Sequence, residues 1–358
     1  MIFAPKKINA IGIDISESSI KVMQLSKYKG MFLPAAFSSI DLPPTMVANH
    51  MISDESKMAE YITRALTAAK KINTKYAVVS VPEAKSFVRI LKMPQMPESE
   101  LDGAIPWELE QDIPVPIDQV YLDWQIVKEG DDGHNHVLVM ATPRDYVDAL
   151  VNALKMAKLK PIALELESQA TARALIGPEE QNQATLVIDM TTMLTSFVIV
   201  SGKGVLEYTS NIPVGGNHLT ESISRNLGIS LKEAEKIKRE SGLMAESKKG
   251  NIRQAMLPVL DSIIDEIRNV TKFHEDHSVL SPGVNKIIIS GGGASLTGLV
   301  DYITARLNVG AGKPIDRIVL ADPFVNTMPK ENRPEIMSDQ EGMAYSTAIG
   351  LALRGMNS

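Results

Sequence analysis

The feature that most constrains the fold is a short unit of strand, acid, polar turn and returning strand that occurs twice in the chain. The first copy begins with a β-rich run at residues 8–15, which carries Asp14 near its end. A small polar turn follows at 16–19, and a returning strand follows at 20–25. Residues 31–40 can add a third strand, so the first copy is predicted to be a three-stranded meander.

The second copy repeats this layout much later in the chain. The run at 186–189 ends at Asp189, and a polar turn follows at 190–192. Strands are predicted at 194–200 and 205–210, with a glycine-containing turn between them. Two such meanders predict two similar lobes.

The remaining segments alternate between strand and helix patterns, which places the chain in the α/β class. Helical spacing at 53–70 is followed by an apolar run at 76–81 that is typical of a buried strand. Residues 86–160 contain a strand, a helix, two strands and a further helix, and we interpret them as a small α/β insertion in the first lobe. Residues 216–284 are predicted to form a helical subdomain, since capping residues and helical spacing recur there.

Composition narrows the functional classes. With 358 residues, 44% of them hydrophobic and 22% charged, the chain is long enough for two or more globular domains. The net charge of -6, with no concentrated basic face visible in the sequence, argues against a nucleic-acid platform. The absence of cysteine excludes disulfides, thiolate zinc sites and cysteine nucleophiles. Without a signal peptide or an apolar run near the ~20 residues of a membrane span, a cytoplasmic location is expected.

The two repeated acids are candidate ligands for a magnesium ion that accompanies phosphate. A carboxylate at the end of a buried strand can face the metal, while the N–H groups of the following turn bind phosphate. Asp14 and Asp189 are each placed in this way, and Lys21 begins the returning strand, from which it could reach a β- or γ-phosphate. The alternative is that each acid only caps its turn and that Lys21 lies on a solvated face.

A glycine-rich loop supports the phosphate interpretation. A strand at 284–290 is followed by Gly-Gly-Gly-Ala-Ser at 291–295 and then by a helical pattern. Glycine is needed where the backbone approaches a ligand closely, and the N-terminus of the following helix favours an anion or a polar group. The loop does not match the G-x-G-x-x-G pattern of dinucleotide-binding domains, because position 296 is leucine.

Three motifs follow one another in this chain: an acid, turn and lysine, then a second acid and turn, then the glycine-rich loop. Their order is similar to that of the phosphate-one, phosphate-two and adenosine motifs of the actin, sugar-kinase and heat-shock chaperone superfamily. Within it, the chain resembles the PilM family of type IV pilus assembly proteins, which are relatives of the cell-division protein FtsA. The segments that carry the resemblance include Trp-Glu-Leu-Glu-Gln-Asp-Ile-Pro-Val-Pro at 107–116, Ile-Pro-Val-Gly-Gly-Asn at 212–217 and Ile-Gly-Leu-Ala-Leu-Arg-Gly at 349–355.

The resemblance implies a bilobed fold of the actin, hexokinase and heat-shock chaperone type, built from duplicated ribonuclease H-like domains with a small α/β insertion in the first lobe. It implies ATP and Mg²⁺ as cofactors, held between the lobes, and at most slow ATPase activity. It also implies a partner, the N-terminal cytoplasmic tail of the membrane protein PilN, in a groove that the insertion helps to build. Other pilus platform proteins, pilus ATPases and self-association are further partners that it allows, and membrane contact would come only through partners at the inner membrane.

The resemblance also assigns the divisions of the chain. They are the first-lobe core with the phosphate-one turn at 1–85, the insertion at 86–160, the rest of that core and the crossover at 161–183, the second-lobe core with the phosphate-two turn at 184–215, the helical subdomain at 216–284, the second-lobe core with the adenosine loop at 285–340, and a C-terminal helix returning to the first lobe at 341–358.

Carried over residue by residue, the resemblance makes Asp14 and Asp189 the magnesium-side acids and Lys21 the phosphate lysine. Glu167, with the nearby Glu165, falls near the crossover where relatives place an acid that orients water, which makes Glu167 the candidate catalytic residue. The residues expected to bind the nucleotide are Asp14, Ser16, Ser18, Ser19, Lys21, Asp189, Thr191, Thr192, Gly215, Gly216, Lys238, Gly291, Gly292, Gly293 and Ala294.

Both phosphate turns depart from the family pattern, which usually has glycine there. Ser16 and Glu17 follow the first acid, and Thr191 occupies the second turn. A Glu17 carboxylate ~4 Å from phosphate would cost roughly 1 to 4 kcal/mol of binding free energy, depending on the effective dielectric. The hydroxyls of Ser16, Thr191 and Thr192 could partly replace the lost backbone contacts. We therefore expect weakened nucleotide binding and no fast hydrolysis.

Two other functions are open on the same fold. One is a small-molecule kinase with Glu165 or Glu167 as general base. The other is an FtsA-like filament protein that anchors itself to a membrane, which the sequence disfavours because residues 354–358 follow a small-residue helix and not an amphipathic anchor.

Several other residues allow two interpretations. Trp107 is either a core anchor or a wall of the partner groove. His134 and His136 are expected in a polar hairpin turn and not in a metal site. His274 and His277 are expected at the solvated end of a long helix.

Overall fold

The computed structural model describes residues 9–48, 51–110, 112–178, 184–201, 204–243, 252–281, 283–308, 315, 317–333 and 337–357. The chain forms two compact units. Unit 1 comprises the described residues up to Ala174 and those from Thr347 onward, whereas unit 2 comprises those between Leu175 and Ser346. Along the sequence, unit 2 is therefore an insertion into unit 1.

Unit 1 is built on a central five-stranded sheet. The strands of unit 1 are β1 (Ile11–Ile15), β2 (Ser19–Tyr28), β3 (Met31–Asp41), β4 (Val47–Ala48), β5 (Met51–Ile52), β6 (Tyr76–Val81), β7 (Phe87–Pro94), β8 (Val120–Glu129), β9 (His134–Pro143) and β10 (Lys160–Leu166). The sheet has the order β10-β6-β1-β2-β3, in which β1, β2 and β3 form an antiparallel meander and β1, β6 and β10 run parallel. Every residue of β1 is buried, as expected for a central strand. The predicted first meander is confirmed.

Two helices cover this sheet and form its core. The first helices of the chain are α1 (Glu55–Ala68), α2 (Glu98–Leu109), α3 (Arg144–Met156) and α4 (Glu167–Leu175). α1 begins where the Asp54 side chain accepts a hydrogen bond from the Lys57 N–H at 3.0 Å. α1 and α3 bury Met58, Ile62 and Leu150 against the sheet, and each such side chain stabilises the fold by roughly 1.5–3 kcal/mol.

A smaller α/β layer lies between β6 and α3 in the sequence. Its strands form an antiparallel sheet in the order β7-β9-β8. α2 covers this sheet with Leu101, Ile105 and Leu109, which pack with Val137 and Val139 of β9 in a core of their own. The sequence pattern of strand, helix and two strands is confirmed in this layer.

Unit 2 repeats the topology of unit 1. Its strands and helices are β11 (Ala184–Met190), β12 (Thr195–Ser201), β13 (Val205–Ile212), α5 (Gly216–Leu227), α6 (Leu231–Ser241), α7 (Ile252–His277), β14 (Val284–Ser290), α8 (Leu299–Leu307), β15 (Arg317–Leu320) and α9 (Asp339–Met343). The sheet order is β13-β12-β11-β14-β15, with an antiparallel meander followed by two parallel strands. The duplicated domain predicted from the repeated meander is confirmed.

In the helical part of unit 2, α5 packs against both α6 and α7. α5 ends at Gly228, whose φ of 63° is a left-handed conformation that glycine adopts readily. α6 begins at Ser230, whose side chain accepts a hydrogen bond from the Glu233 N–H at 3.2 Å. Both boundaries agree with the capping signals in the sequence.

The expected solvated position of His274 is wrong. His274 is buried, with its Nε2 atom 3.4 Å from Glu207 Oε1 and 3.2 Å from Ser281 Oγ. The last turns of α7 pack against β13, so one side of this helix end faces protein and only the other faces solvent. His277 lies on the exposed side, stacked on Phe273, as expected.

The last helix, α10 (Ser346–Asn357), packs in unit 1. Its Leu351 joins a small buried cluster with Val78 and Ala170. A Cβ atom at Gly350 would lie 1.8 Å from the Ala170 carbonyl oxygen, so α4 and α10 approach one another as closely as only glycine permits.

Candidate functional site

The first turn, between β1 and β2, is closed by a serine hydroxyl. The Ser16 N–H donates to the Ser19 carbonyl oxygen at 2.9 Å, and the Ser19 N–H donates to Ser16 Oγ at 3.1 Å. Glu17 and Ser18 form the exposed tip, and the Leu42 N–H donates to the Ser18 carbonyl oxygen at 2.9 Å. The three serines assigned to phosphate therefore lie in one compact turn at the carboxyl end of β1.

Asp14 lies just before this turn and is only 5% exposed. Its Oδ2 atom lies 3.7 Å from Lys21 Nζ, directly across the strand pair, and its Oδ1 atom accepts a hydrogen bond from Ser80 Oγ at 3.1 Å. Ser80 itself accepts a hydrogen bond from the Ile15 N–H at 3.0 Å. The structure thus brings Asp14 and Lys21 together and fixes the carboxylate at the strand end.

The second turn, between β11 and β12, is closed in the same way by a threonine hydroxyl. The Thr191 N–H donates to the Leu194 carbonyl oxygen at 2.9 Å, and the Leu194 N–H donates to Thr191 Oγ1 at 3.2 Å. Asp189 precedes this hydroxyl by two residues, as Asp14 precedes Ser16. The repeated unit therefore extends to the hydrogen bonds of the turn itself.

Helix α5 is attached directly to the second turn. The Gly216 N–H donates to the Thr191 carbonyl oxygen at 2.9 Å, and the Asn217 N–H donates to the Thr192 carbonyl oxygen at 2.8 Å. A Cβ atom at Gly215 would lie 2.7 Å from the Thr191 carbonyl oxygen, so no larger residue fits at that position without movement of the backbone. Gly215 is therefore needed for this close contact between helix and turn, whereas a Cβ at Gly216 would have no neighbour nearer than Lys238 Nζ at 3.6 Å.

The glycine-rich loop wraps around the end of β11. Gly291 has a φ of 84°, and a Cβ atom there would lie 2.5 Å from Asp189 Oδ1 and 2.5 Å from the Met190 carbonyl oxygen. Gly292, by contrast, has no neighbouring atom within 4 Å of where a Cβ would be. A Cβ atom at Gly293 would lie 2.8 Å from Met190 Cβ. The predicted strand and loop are confirmed, and Gly291 and Gly293 are the glycines that the packing requires.

A cavity of about 880 Å³ opens in unit 2 beside these elements. The second turn, the glycine-rich loop and α5, α6 and α9 contribute to its walls. The predicted nucleotide-binding residues that line it are Thr191, Thr192, Gly216, Lys238, Gly292 and Gly293. Six residues that are far apart in the sequence are thus brought to one cavity.

Lys238 is the centre of a polar network at this cavity. Its Nζ atom lies 2.7 Å from Glu235 Oε2 and donates to the Gly216 carbonyl oxygen and to Thr220 Oγ1, each at 2.8 Å. Burial acts to raise the pKa of Glu235, but hydrogen bonds from Lys238, Thr220 and Arg239 outweigh it and lower the pKa to about 2. Glu235 therefore faces the cavity as a carboxylate.

Glu235 is not among the site residues predicted from the sequence, although it precedes Lys238 by three residues on one face of a predicted helix. Leu231 on the same helix is also not among them, nor are Gln340 and Glu341, which α9 brings to the cavity. The helical spacing could have indicated Glu235 and Leu231, whereas no sequence signal places α9 there.

The two glutamates considered for catalysis have different surroundings. Both oxygens of Glu165 are bound by Arg173, at 2.5 and 2.6 Å, and Arg354 lies 3.1 Å from Glu165 Oε1. Because the carboxylate is 1% exposed and surrounded by cations, Glu165 is a structural ion pair joining β10, α4 and α10. It is not placed to act as a general base.

Glu167 lies at the start of α4 beside a glutamate that the sequence analysis missed. Glu83 Oε1 accepts a hydrogen bond from the Ser168 N–H at 3.0 Å. Burial raises the pKa of Glu83, despite hydrogen bonding with Ser168 and Glu167. Burial also raises the pKa of Tyr146, and the charges of Glu167 and Asp14 add to this effect, which indicates that both acids lie on one side of unit 1.

Trp107 and the histidines near the β8–β9 hairpin are the other residues that allowed two interpretations. Trp107 is 77% exposed, so its interpretation as a core anchor is wrong: α2 turns Leu101 and Ile105 inward and Trp107 outward. His134 lies at the β8–β9 hairpin, where its N–H donates to Asp132 Oδ1 at 3.2 Å. Within the described ranges, no three histidine, aspartate or glutamate side chains are grouped to hold a metal ion, and no helix has the length and apolarity to cross a membrane.

Solved structures of known proteins show the same fold. A chain of the PilM-PilN type IV pilus biogenesis complex is 27% identical with a TM-score of 0.79, covering 98% of this chain and 99% of that chain. MreB 5 of Spiroplasma citri bound to AMPPNP is 14% identical with a TM-score of 0.54, covering 90% of this chain and 94% of that chain. The second likeness is one of fold alone.

Sequence comparison points to the same group of proteins. Cell division protein FtsA of Neisseria meningitidis serogroup B is 25% identical over 285 residues, which are 73% of this chain and 62% of FtsA. The chain thus spans less than two thirds of the length of that relative. A family model described as type IV pilus assembly protein PilM matches residues 12–356. This match covers nearly the whole chain, so the chain belongs to the family of type IV pilus assembly protein PilM, within the actin-like ATPase superfamily.

Proposed function

We propose that this member of the family is a nucleotide-binding scaffold of type IV pilus assembly, which binds ATP with Mg²⁺ and holds the N-terminal cytoplasmic tail of PilN. The proposal that the chain binds a nucleotide rests on the cavity of about 880 Å³, which is lined by the second turn, the glycine-rich loop and Lys238. The PilN part is supported by the match to the PilM-PilN complex over 98% of this chain.

The cavity suits a nucleoside. Its volume of about 880 Å³ lies within the ~300–1,000 Å³ typical of small-molecule sites. The open backbone at Gly292 leaves room for a flat ring, and the exposed Leu231 offers an apolar contact. The carboxylate of Glu235 can accept hydrogen bonds from sugar hydroxyls, while Lys238 holds that carboxylate in place.

We assign Asp14 and Asp189 to Mg²⁺ and Lys21 to phosphate. Asp14 fits this role because its carboxylate is fixed at a strand end, and its pair with Lys21 is loose at 3.7 Å. Lys21 can therefore exchange Asp14 for a phosphate oxygen without breaking a short ion pair. Bound Mg²⁺ would neutralise phosphate charge, which is the chemistry that a hard cation supplies to nucleotides.

Hydrolysis is proposed to be slow. Glu167 is the remaining candidate to orient a water molecule, because both oxygens of Glu165 are bound to Arg173. Glu167 is hydrogen-bonded with the buried Glu83, whose pKa is raised by burial. A carboxylate engaged by a neighbouring carboxyl group is less available to accept a proton from water, so it is a weaker general base.

We place the PilN tail on the insertion, where α2 exposes a large aromatic side chain. Trp107 is 77% exposed, whereas soluble surfaces seldom present tryptophan without a partner. Tyr121 of β8 adds a second exposed aromatic in the same layer. An extended tail could place an apolar side chain against Trp107. Through this contact with PilN, the chain would be held at the inner membrane.

The nucleotide proposal is tested by titrating the full chain with ATP and Mg²⁺ in a calorimeter. Lys238→Met should weaken binding about tenfold or more, since Glu235 loses the cation that orients it and compensates its charge. Lys236→Met is the matched control, because Lys236 is paired with Glu240 on the same helix and does not line the cavity. Equal affinities for both variants would contradict the assignment of the cavity.

The PilN proposal is tested with a synthetic peptide of the PilN cytoplasmic tail, titrated with and without ATP. Trp107→Ala should weaken peptide binding by at least tenfold, as truncation of a tryptophan anchor does at other interfaces. Phe273→Ala in unit 2 is the control, because Phe273 is also a large exposed aromatic. A peptide that does not bind under either condition would remove PilN as the partner.

The kinase alternative has less support. A sugar or metabolite kinase needs a carboxylate base at its acceptor site, and Glu165 is committed to Arg173 and Arg354. Phosphate transfer to a small acceptor that Glu167→Gln abolishes would restore this alternative.

A further inference from the structure

A second large cavity lies in unit 1, along the edge strand β10. Its volume is about 890 Å³, and its lining includes Lys75, Lys155, Lys158 and Lys160 together with β10 residues 161–164. β10 pairs only with β6, so its other edge is unpaired within the five-stranded sheet. We call this feature the basic groove.

The positive charge of the basic groove is not neutralised by the described part of the protein. All four lysines are exposed, and none of them forms an ion pair with a described residue. The residues that line the groove include no aspartate or glutamate. In a chain with a net charge of -6, four unneutralised lysines at one cavity form a local field that attracts anions.

Apolar surface accompanies this charge. Ile162 of β10 is 37% exposed, and Leu164 is half-buried beside it. Val151 of α3 is a further apolar residue of the lining. A ligand that fills the groove must therefore combine acidic groups with apolar ones.

The strand edge itself narrows the range of ligands. Pro161 lacks an N–H group, and the pairing with β6 is interrupted by a bulge between Pro161 and Ala163. Proline, bulges and lysines are features by which natural proteins keep neutral strands from pairing with an edge. Because Pro161 and the bulge oppose backbone pairing with any strand, a ligand is held here through the lysines and the apolar side chains.

We infer that the basic groove binds an extended acidic segment of a partner protein, in which acidic and apolar side chains alternate. Its carboxylates contact the lysines, and its apolar side chains lie against Ile162 and Leu164. In an extended chain, alternate side chains point to opposite sides, so one segment can present acidic and apolar groups together. This site is independent of the proposed nucleotide and PilN sites.

The test uses the full chain and a fluorescein-labelled dodecapeptide of alternating glutamate and valine, measured by fluorescence anisotropy. The double variant Lys75→Glu/Lys155→Glu should weaken binding about tenfold, since two exposed ion pairs are lost and repulsion is added. Lys27→Glu/Lys330→Glu is the matched control, because it changes the net charge equally at exposed lysines outside the groove. All four positions are exposed, so both variants should fold, which circular dichroism verifies.

Three further results decide the inference. Binding should weaken as salt is raised, and a matched peptide of alternating lysine and valine should not bind. Equal losses in the two double variants would overturn the inference, because the charge would then act from the whole surface. Vesicles of phosphatidylglycerol and phosphatidylethanolamine that bind through Lys75 and Lys155 when the peptide does not would overturn it in favour of a membrane.

Discussion

The turn after β1 and the turn after β11 are closed by the same hydrogen bonds but are supported by different surroundings. In each, a hydroxyl residue two positions after the acid bonds to the backbone three residues later, from Ser16 to Ser19 and from Thr191 to Leu194. The first turn stands beside a buried aspartate paired with Lys21. The second turn instead accepts two N–H groups from the start of α5.

The comparison shows what the hydroxyl residues do in place of glycine. Both hydroxyls donate within their own turns, to the Ser19 carbonyl oxygen at 3.2 Å and to the Leu194 carbonyl oxygen at 2.9 Å. They therefore shape the turn first, and any phosphate contact depends on that shape. The two turns differ in what supports them. Lys21 pairs with the acid beside the first turn, whereas the second turn is bonded to the glycine-containing start of α5.

The largest effect is expected where the helix meets the second turn. Gly215→Ala would place a Cβ atom 2.7 Å from the Thr191 carbonyl oxygen, and such overpacking costs roughly 1–3 kcal/mol of unfolding free energy. ATP binding should weaken as the turn is displaced. Gly216→Ala is the control, because its nearest neighbour would be Lys238 Nζ at 3.6 Å. Urea unfolding and calorimetry measure both effects, and equal results for the two variants would show that the helix contact is unimportant.

The next effect separates the two acids. With Mg²⁺, both Asp14→Asn and Asp189→Asn should weaken ATP binding about tenfold, the scale of one contact to a charged group. In EDTA, Asp14→Asn should bind ATP at least as tightly as the original chain, because Lys21 loses its carboxylate partner and becomes available to phosphate. Calorimetry of both variants, with Mg²⁺ and in EDTA, measures these ATP affinities. A metal-independent loss in Asp14→Asn would remove Asp14 from the magnesium site.

A smaller effect concerns the hydroxyls. Ser16→Ala and Thr191→Val should each lower the unfolding free energy by about 1 kcal/mol, because one turn loses its side-chain hydrogen bonds. Thr191→Val should also weaken ATP binding more than Ser16→Ala, since α5 and the cavity depend on the second turn. Thr191→Ser keeps the hydroxyl and should behave like the original chain. If it does not, the methyl group and not the hydroxyl supports the turn.

The smallest effect is expected at the tip of the first turn. Glu17→Ser should raise ATP affinity about twofold to tenfold, because a like charge is removed but solvent screens this exposed side chain. Glu129→Ser, at an exposed position of β8, makes the same change in net charge and should leave ATP affinity unaltered. An unchanged affinity in Glu17→Ser would mean that Glu17 does not face phosphate.

The sequence predicted the repeated sheets and the third loop because their signals are local. An apolar run ending at Asp14 or Asp189, or three glycines after a strand, needs no knowledge of distant residues. The surroundings of those signals could not be predicted in this way. Ser80 reaches Asp14 from another strand, and α9 comes to the cavity from far along the chain.

The same limit explains the residues that were misinterpreted or missed. His274 lies near the end of a helix in the sequence, but the burial of that end depends on β13. Trp107 sits on a helix with a weak apolar pattern, so the direction of its side chain follows only from the packing of α2 on its sheet. The basic groove draws lysines from before β6 and around the α3–β10 connection, which are not adjacent in the sequence.

The return of α10 to unit 1 also sets the order in which the chain can fold during synthesis. A ribosome completes all of unit 2 before it makes the helix that packs on Gly12 and Ala170. Unit 1 therefore waits with an uncovered apolar surface around Val78 until α10 emerges, whereas unit 2 can fold as soon as its own stretch is released. The domain begun first is finished last.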